Sequence, residues 1–114
     1  MAFITEEKDG ITIITVDEER LDSMVAPQLK SELLVLTNEG VKDVLIDLSK
    51  VSYADSSGLG ALLFGVRQFK NNEGKLRLLG ANNRIMNLVR IARLDGILPN
   101  YHNIKEAILS FEPE

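Results

Sequence analysis

Apolar positions near the start of the chain fall into two short extended runs, Phe3 to Glu6 and Ile11 to Val16, which read as strands. Lys8-Asp9-Gly10 lies between them, and Asp-Gly suits a tight hairpin because glycine takes positive φ without steric cost. The period then changes. Ala26, Leu29, Leu33 and Leu36 recur every three or four residues and predict a helix. Pro27 is tolerated only near a helix start, so this one begins around Ser23 to Ala26 and stops at Gly40. Val41 to Leu48 is apolar almost without interruption, as in a central strand covered on both faces. Leu59, Leu62, Leu63, Val66 and Phe69 form the stripe of a second helix that ends near Asn72 to Gly74, and Lys75 to Leu79 is another strand.

A third helix turns Ile85, Leu88, Val89 and Ala92 inward and Arg84, Arg90 and Arg93 outward. Ile97 and Leu98 suggest a short strand before Pro99. The last helix carries Ile104, Ala107, Ile108 and Phe111 on one face, with Asn103 and Glu106 at capping-box spacing. This order predicts a single α/β domain over residues 1–114, a mixed sheet with an N-terminal hairpin and about four helices packed on it.

Composition narrows what such a domain does. With aromatics at 5% and a net charge of -4, neither base stacking nor phosphate attraction favours a nucleic-acid partner. The absence of Cys removes disulfides, thiol catalysis and cysteine zinc sites, and His102 alone cannot build a histidine metal site. No Gly-Lys-Ser/Thr phosphate loop implies a nucleotide cofactor. No apolar run approaches the roughly 20 residues of a membrane span, and no leader pattern opens the chain, so a cytoplasmic domain without membrane insertion is expected. Oligomeric state is not written in the sequence, and a monomer is the default expectation. Charge is divided unevenly: residues 1–57 carry 5 basic and 12 acidic side chains, residues 58–114 carry 8 and 5. That asymmetry either steers a partner with complementary patches or reflects two differently solvated faces.

Function in an open α/β sheet lies beyond the carboxyl ends of the strands. The loop after the central strand runs through Val51-Ser52-Tyr53-Ala54 into Asp55-Ser56-Ser57-Gly58-Leu59-Gly60, at the boundary of the second helix. One of Asp55, Ser56 and Ser57 would cap that helix. Gly58 and Gly60 are costly helix residues, about 0.8–1 kcal/mol each against Ala, so two in one turn suggest a close approach to the backbone. A hydroxyl at such a terminus is also a favourable place to install a phosphate.

The Asp55-to-Gly60 hexapeptide, with Val51-Ser52-Tyr53 and the apolar strand before it, resembles the signature of STAS domains, and most of all that of the bacterial anti-sigma factor antagonists. The resemblance extends over nearly the whole chain. It implies a partner-switching protein that is no enzyme and has no catalytic residues. Such a protein binds an anti-sigma factor serine kinase, frees a sigma factor, and loses affinity when the kinase phosphorylates it; a serine phosphatase restores it. Carried over, Ser56 is the phosphoacceptor, Asp55 its supporting neighbour and Ser57 a cap or contact. Leu21 and Asp22 match a Gly-Glu-Leu-Asp-like stretch of the family, while Glu19 and Arg20 depart from it. Asp22 either caps the first helix or contacts the kinase.

On a helical wheel Phe64 falls almost opposite the apolar stripe, beside Gly60, where it is either a partner anchor or an isolated exposed aromatic. A hydrolase reading fails because Ala54 and Asp55 stand where a nucleophile elbow needs glycine. A phospho-receiver reading, with Asp55 as acceptor, is broken by the opening hairpin. The runner-up is a STAS regulatory subunit of a transporter or signalling complex that acts by docking alone.

Overall fold

The computed structural model describes residues 2–113, so the two ends of the predicted 1–114 span lie outside the described residues. The opening hairpin pairs β1 (Phe3–Lys8) with β2 (Ile11–Val16), and Asp9 and Gly10 both take positive φ in the turn, at 54° and 81°. A two-residue strand, β3 (Arg20–Leu21), leads into α1 (Ala26–Asn38), which ends where Gly40 adopts φ 84°. Then follow β4 (Asp43–Asp47), the short β5 (Tyr53–Ala54), α2 (Ser56–Asn71), β6 (Lys75–Leu79), α3 (Asn83–Ile91), β7 (Asn100–Tyr101) and α4 (Ile104–Leu109).

Five strands form one sheet in the order β1-β2-β4-β6-β7, antiparallel in the hairpin and parallel elsewhere. As predicted, the most apolar strand is central: Val44, Leu45 and Ile46 are each fully buried. Strand alternation divides the sheet between two cores. Ile14, Val44, Ile46, Leu76 and Leu78 meet α1, α2 and α3, while Ile11, Ile13, Leu45 and Leu79 meet α4.

The packing corrects several expectations. The buried face of α2 is Gly58, Ala61, Leu62, Gly65 and Phe69, whereas Leu59, Leu63 and Val66 are only half-buried. The helix is thus turned by close to a quarter turn from the apolar stripe. Small residues explain the difference: a Cβ on Gly65 would lie 2.7 Å from Leu76 Cδ1 and 2.8 Å from Leu33 Cδ1. Gly65 is therefore the point at which α2 seats against both α1 and β6. Phe64 is consequently half-buried beside α1, with the Lys30 ammonium 5.9 Å from its ring centroid, and is not the fully outward residue that the wheel predicts.

Ala92 is exposed, because α3 ends at Ile91. The late strand forms at Asn100–Tyr101, after Pro99, and not at Ile97–Leu98. Its placement depends on Asn100, whose side-chain amide makes two hydrogen bonds of 3.0 Å with the backbone of Ala81. In α4 only Ala107 is fully covered, and Ile104 remains 38% exposed.

Candidate functional site

Beyond the carboxyl ends of β2 and β4, two loops are tied into one unit. Residues 17–22 leave β2 and residues 48–55 leave β4. The Glu19 carbonyl accepts from the Ser52 amide at 2.8 Å and from the Ser52 hydroxyl at 3.2 Å, and Lys50 bridges Asp17 at 3.3 Å. β3 then pairs in parallel with β5, Arg20 opposite Tyr53 and Leu21 opposite Ala54. This two-stranded sheet was not legible in the sequence: two residues are too few for a period, and its bonds join positions over thirty residues apart.

The start of α2 is built on that unit. Asp55, in extended conformation, is the N-cap: its amide donates to the Leu21 carbonyl at 3.3 Å, and its carboxylate accepts from the Gly58 amide at 3.1 Å. These bonds use the amides of Asp55 and Gly58. The amides of Ser56 and Ser57 are the first-turn donors without a protein acceptor among the described residues. Ser56 is exposed and Ser57 half-buried. The site therefore presents one accessible hydroxyl beside two free N–H groups at the positive end of a sixteen-residue helix. Asp55→Ala is expected to cost about 1 kcal/mol of stability through loss of the cap, measured by urea unfolding.

The two glycines separate in role. Gly58 is buried, and a Cβ there would run into the carbonyl oxygen of Leu21, itself fully buried. The close approach expected at this glycine is thus made by the chain's own β3. Gly58→Ala should destabilise the fold by about 1–3 kcal/mol, read as a lower urea midpoint. Gly60 has open space where its side chain would be, so nothing in the chain itself requires the glycine there.

Asp22 is only partly exposed, and its carboxylate accepts from the amides of Met24 at 3.0 Å and Val25 at 3.4 Å. It thus caps the turn that enters α1. Asn82 was missed by sequence reasoning. It caps α3 through the Ile85 amide at 2.9 Å and donates to the carbonyls of Val51 and Ser52, fastening α3 to the loop that carries the hydroxyl. The Asp55, Ser56, Ser57, Gly58 and Gly60 cluster is therefore contiguous, Asp22 adjoins it through Leu21, and Phe64 lies two turns along the same helix. His102 is exposed in the segment between β7 and α4.

Comparison with known proteins agrees with this architecture. The STAS domain model matches residues 2–107. An anti-sigma-B factor antagonist of Staphylococcus aureus is 32% identical over 78 residues, 68% of this chain and 72% of that protein. Among solved structures, a STAS domain anti-sigma factor antagonist from Planctomyces limnophilus superimposes with a TM-score of 0.86 at 23% identity, covering 96% of this chain and 97% of that one. The phosphorylated form of the Bacillus cell fate determinant SpoIIAA superimposes with a TM-score of 0.76 at 20% identity, over 97% of this chain and all of the other. Fold, hexapeptide and relatives agree: the chain belongs to the STAS domain family, among the anti-sigma factor antagonists.

Proposed function

We propose that this chain is a phosphorylation-controlled partner switch acting in the cytoplasm, with Ser56 as its phosphoacceptor and an anti-sigma factor serine kinase as its partner. The observation that carries this reading is the pairing of an exposed Ser56 hydroxyl with two free amides at the start of α2, in an antagonist-family chain. Unmodified, the domain docks on the kinase and displaces the bound sigma factor. In the complex, Ser56 Oγ attacks the γ-phosphorus of ATP and its proton passes to a base on the kinase. A new Oγ–P bond forms as the bond to the ADP oxygen breaks. The kinase supplies base and Mg²⁺, and this domain is the substrate, not the enzyme. A serine phosphatase, hydrolysing the phosphoester, returns the chain to its binding form.

Ser57, Asp55 and Gly60 border the same surface, and the half-buried Phe64 extends it along α2 as an aromatic contact. Gly58 and Asp22 support it from within, the first by fitting Leu21 and the second by holding the entry to α1. The helix terminus favours an added anion by about 0.3–1 kcal/mol, so phosphorylation leaves the fold intact. At the interface, the same dianion must be desolvated or repelled. The test is a competition: the unmodified chain, titrated into a kinase–sigma factor complex, should release the sigma factor, and the Ser56-phosphorylated chain should not. Docking without release, unaffected by phosphate, would favour a STAS subunit that regulates by docking alone.

A further inference from the structure

The loop ahead of the site contains one cation among acids. Asp17, Glu18, Glu19 and Asp22 surround Arg20 in sequence, yet the only ion pair among the described residues is Lys50 with Asp17, so no carboxylate lies within 4.0 Å of Arg20. The guanidinium instead lies over the Tyr53 ring, its carbon 5.2 Å from the centroid. Arg20 and Tyr53 are register partners across β3 and β5; Leu21 points into the core, so alternation turns Arg20 outward, and it is exposed. Both strands are fixed at the base of α2 by the Asp55–Leu21 hydrogen bond. The ring thus gives the exposed cation a resting place on the β3–β5 unit. A guanidinium resting over a ring makes no hydrogen bond with it, so its N–H donors stay available for a bidentate acceptor, and it forfeits less rotamer freedom on binding than a loose arginine.

We infer that Arg20, braced on Tyr53, determines which kinase this chain accepts, by pairing with a carboxylate on the kinase surface opposite the 17–22 loop. The inference rests on the proposed docking at Ser56 and adds the chemistry of the partner. The acids of this loop and Asp55 call for a largely basic partner surface, and within it Arg20 requires one acidic residue at a fixed place. A kinase with a neutral residue at that place leaves the guanidinium without a partner, and one with a cation there repels it, which is how a single residue separates related partners. Continuity with the phosphoacceptor unit places the pair inside the docking surface and not at a remote rim.

The experiment measures binding of the full chain to its anti-sigma factor kinase by surface plasmon resonance, over a range of salt concentrations. Wild type should bind. Arg20→Ala should bind at least tenfold more weakly with an unchanged melting temperature and a flatter salt dependence of dissociation. Arg20→Lys should fall between them, since it keeps the charge and loses the planar fork. Tyr53→Leu should weaken binding severalfold by freeing the guanidinium. Arg20→Ala binding as tightly as wild type overturns the inference while leaving the proposed function standing. An effect confined to the Ser56-phosphorylated chain would assign Arg20 to the phosphate, and overturns it as well. Failure of wild type itself to bind overturns both readings together.

Discussion

Leu62→Ala should destabilise the domain by about 2–5 kcal/mol, and Leu63→Ala by roughly 1 kcal/mol or less, in urea unfolding of the two variants side by side. The side chains are identical and adjacent, so the difference isolates the phase of α2. Leu62 is fully buried among the residues of the α1–α2–α3 face, and truncating it leaves a cavity that the surrounding sheet and helices close only in part. Leu63 is half-buried, and water can replace much of what it loses. The apolar stripe of the sequence would rank the two as equals. Equal losses would return α2 to the phase in which Leu59, Leu63 and Val66 face the core. Such a phase would also withdraw Gly65 from Leu33 and Leu76.

The second large effect concerns kinase affinity. Phosphate on Ser56 should weaken binding at least 100-fold, and Ser56→Asp should weaken it by a smaller factor. The mimic has one charge and no tetrahedral oxygens, whereas phosphoserine carries about -1.5 to -2 charges. Neither change should lower the melting temperature appreciably, because the free amides of Ser56 and Ser57 and the helix terminus accommodate an anion in the uncomplexed domain. A comparison of calorimetric affinities and thermal melts separates the two effects. Loss of binding together with loss of folding would show that the phosphate disrupts the Asp55–Leu21 junction and not the interface.

The order of the main elements, the Asp9-Gly10 turn, the stop at Gly40 and the central position of Val44 to Ile46 were all legible from period and turn chemistry. These features are set by short-range sterics and by a hydrophobic period long enough to count. What escaped the sequence depends on contacts distant along the chain. β3 and β5 exist because Glu19, Leu21, Ser52 and Asp55 exchange backbone hydrogen bonds across two loops. Asn82 and Asn100 look like ordinary polar residues until their amides are seen bonded to backbone groups 19 to 31 positions away. The phase of α2 was misread for a different reason. Glycine and alanine score as weakly apolar, yet Gly58, Ala61 and Gly65 are where the helix approaches its neighbours most closely.

The candidate site was more legible than the packing around it. Asp55 as a cap, with Ser56 and Ser57 in the first turn, follows from residue types and from the end of the preceding strand. The sequence could not divide labour within the cluster. That Gly58 serves the internal fit to Leu21 and Gly60 does not, or that Ser57 is less accessible than Ser56, depends on which side of α2 meets β3.

Site mapping of the transferred phosphate tests the central claim most directly. The chain, incubated with the proposed anti-sigma factor kinase and Mg-ATP and then digested for peptide mass analysis, should carry a single phosphate on Ser56. Ser56→Ala should bind the kinase and take up none, and Ser57→Ala should still be phosphorylated. Phosphate on Ser57 alone, or on neither serine while the complex forms, would contradict the assignment of Ser56 as the switch.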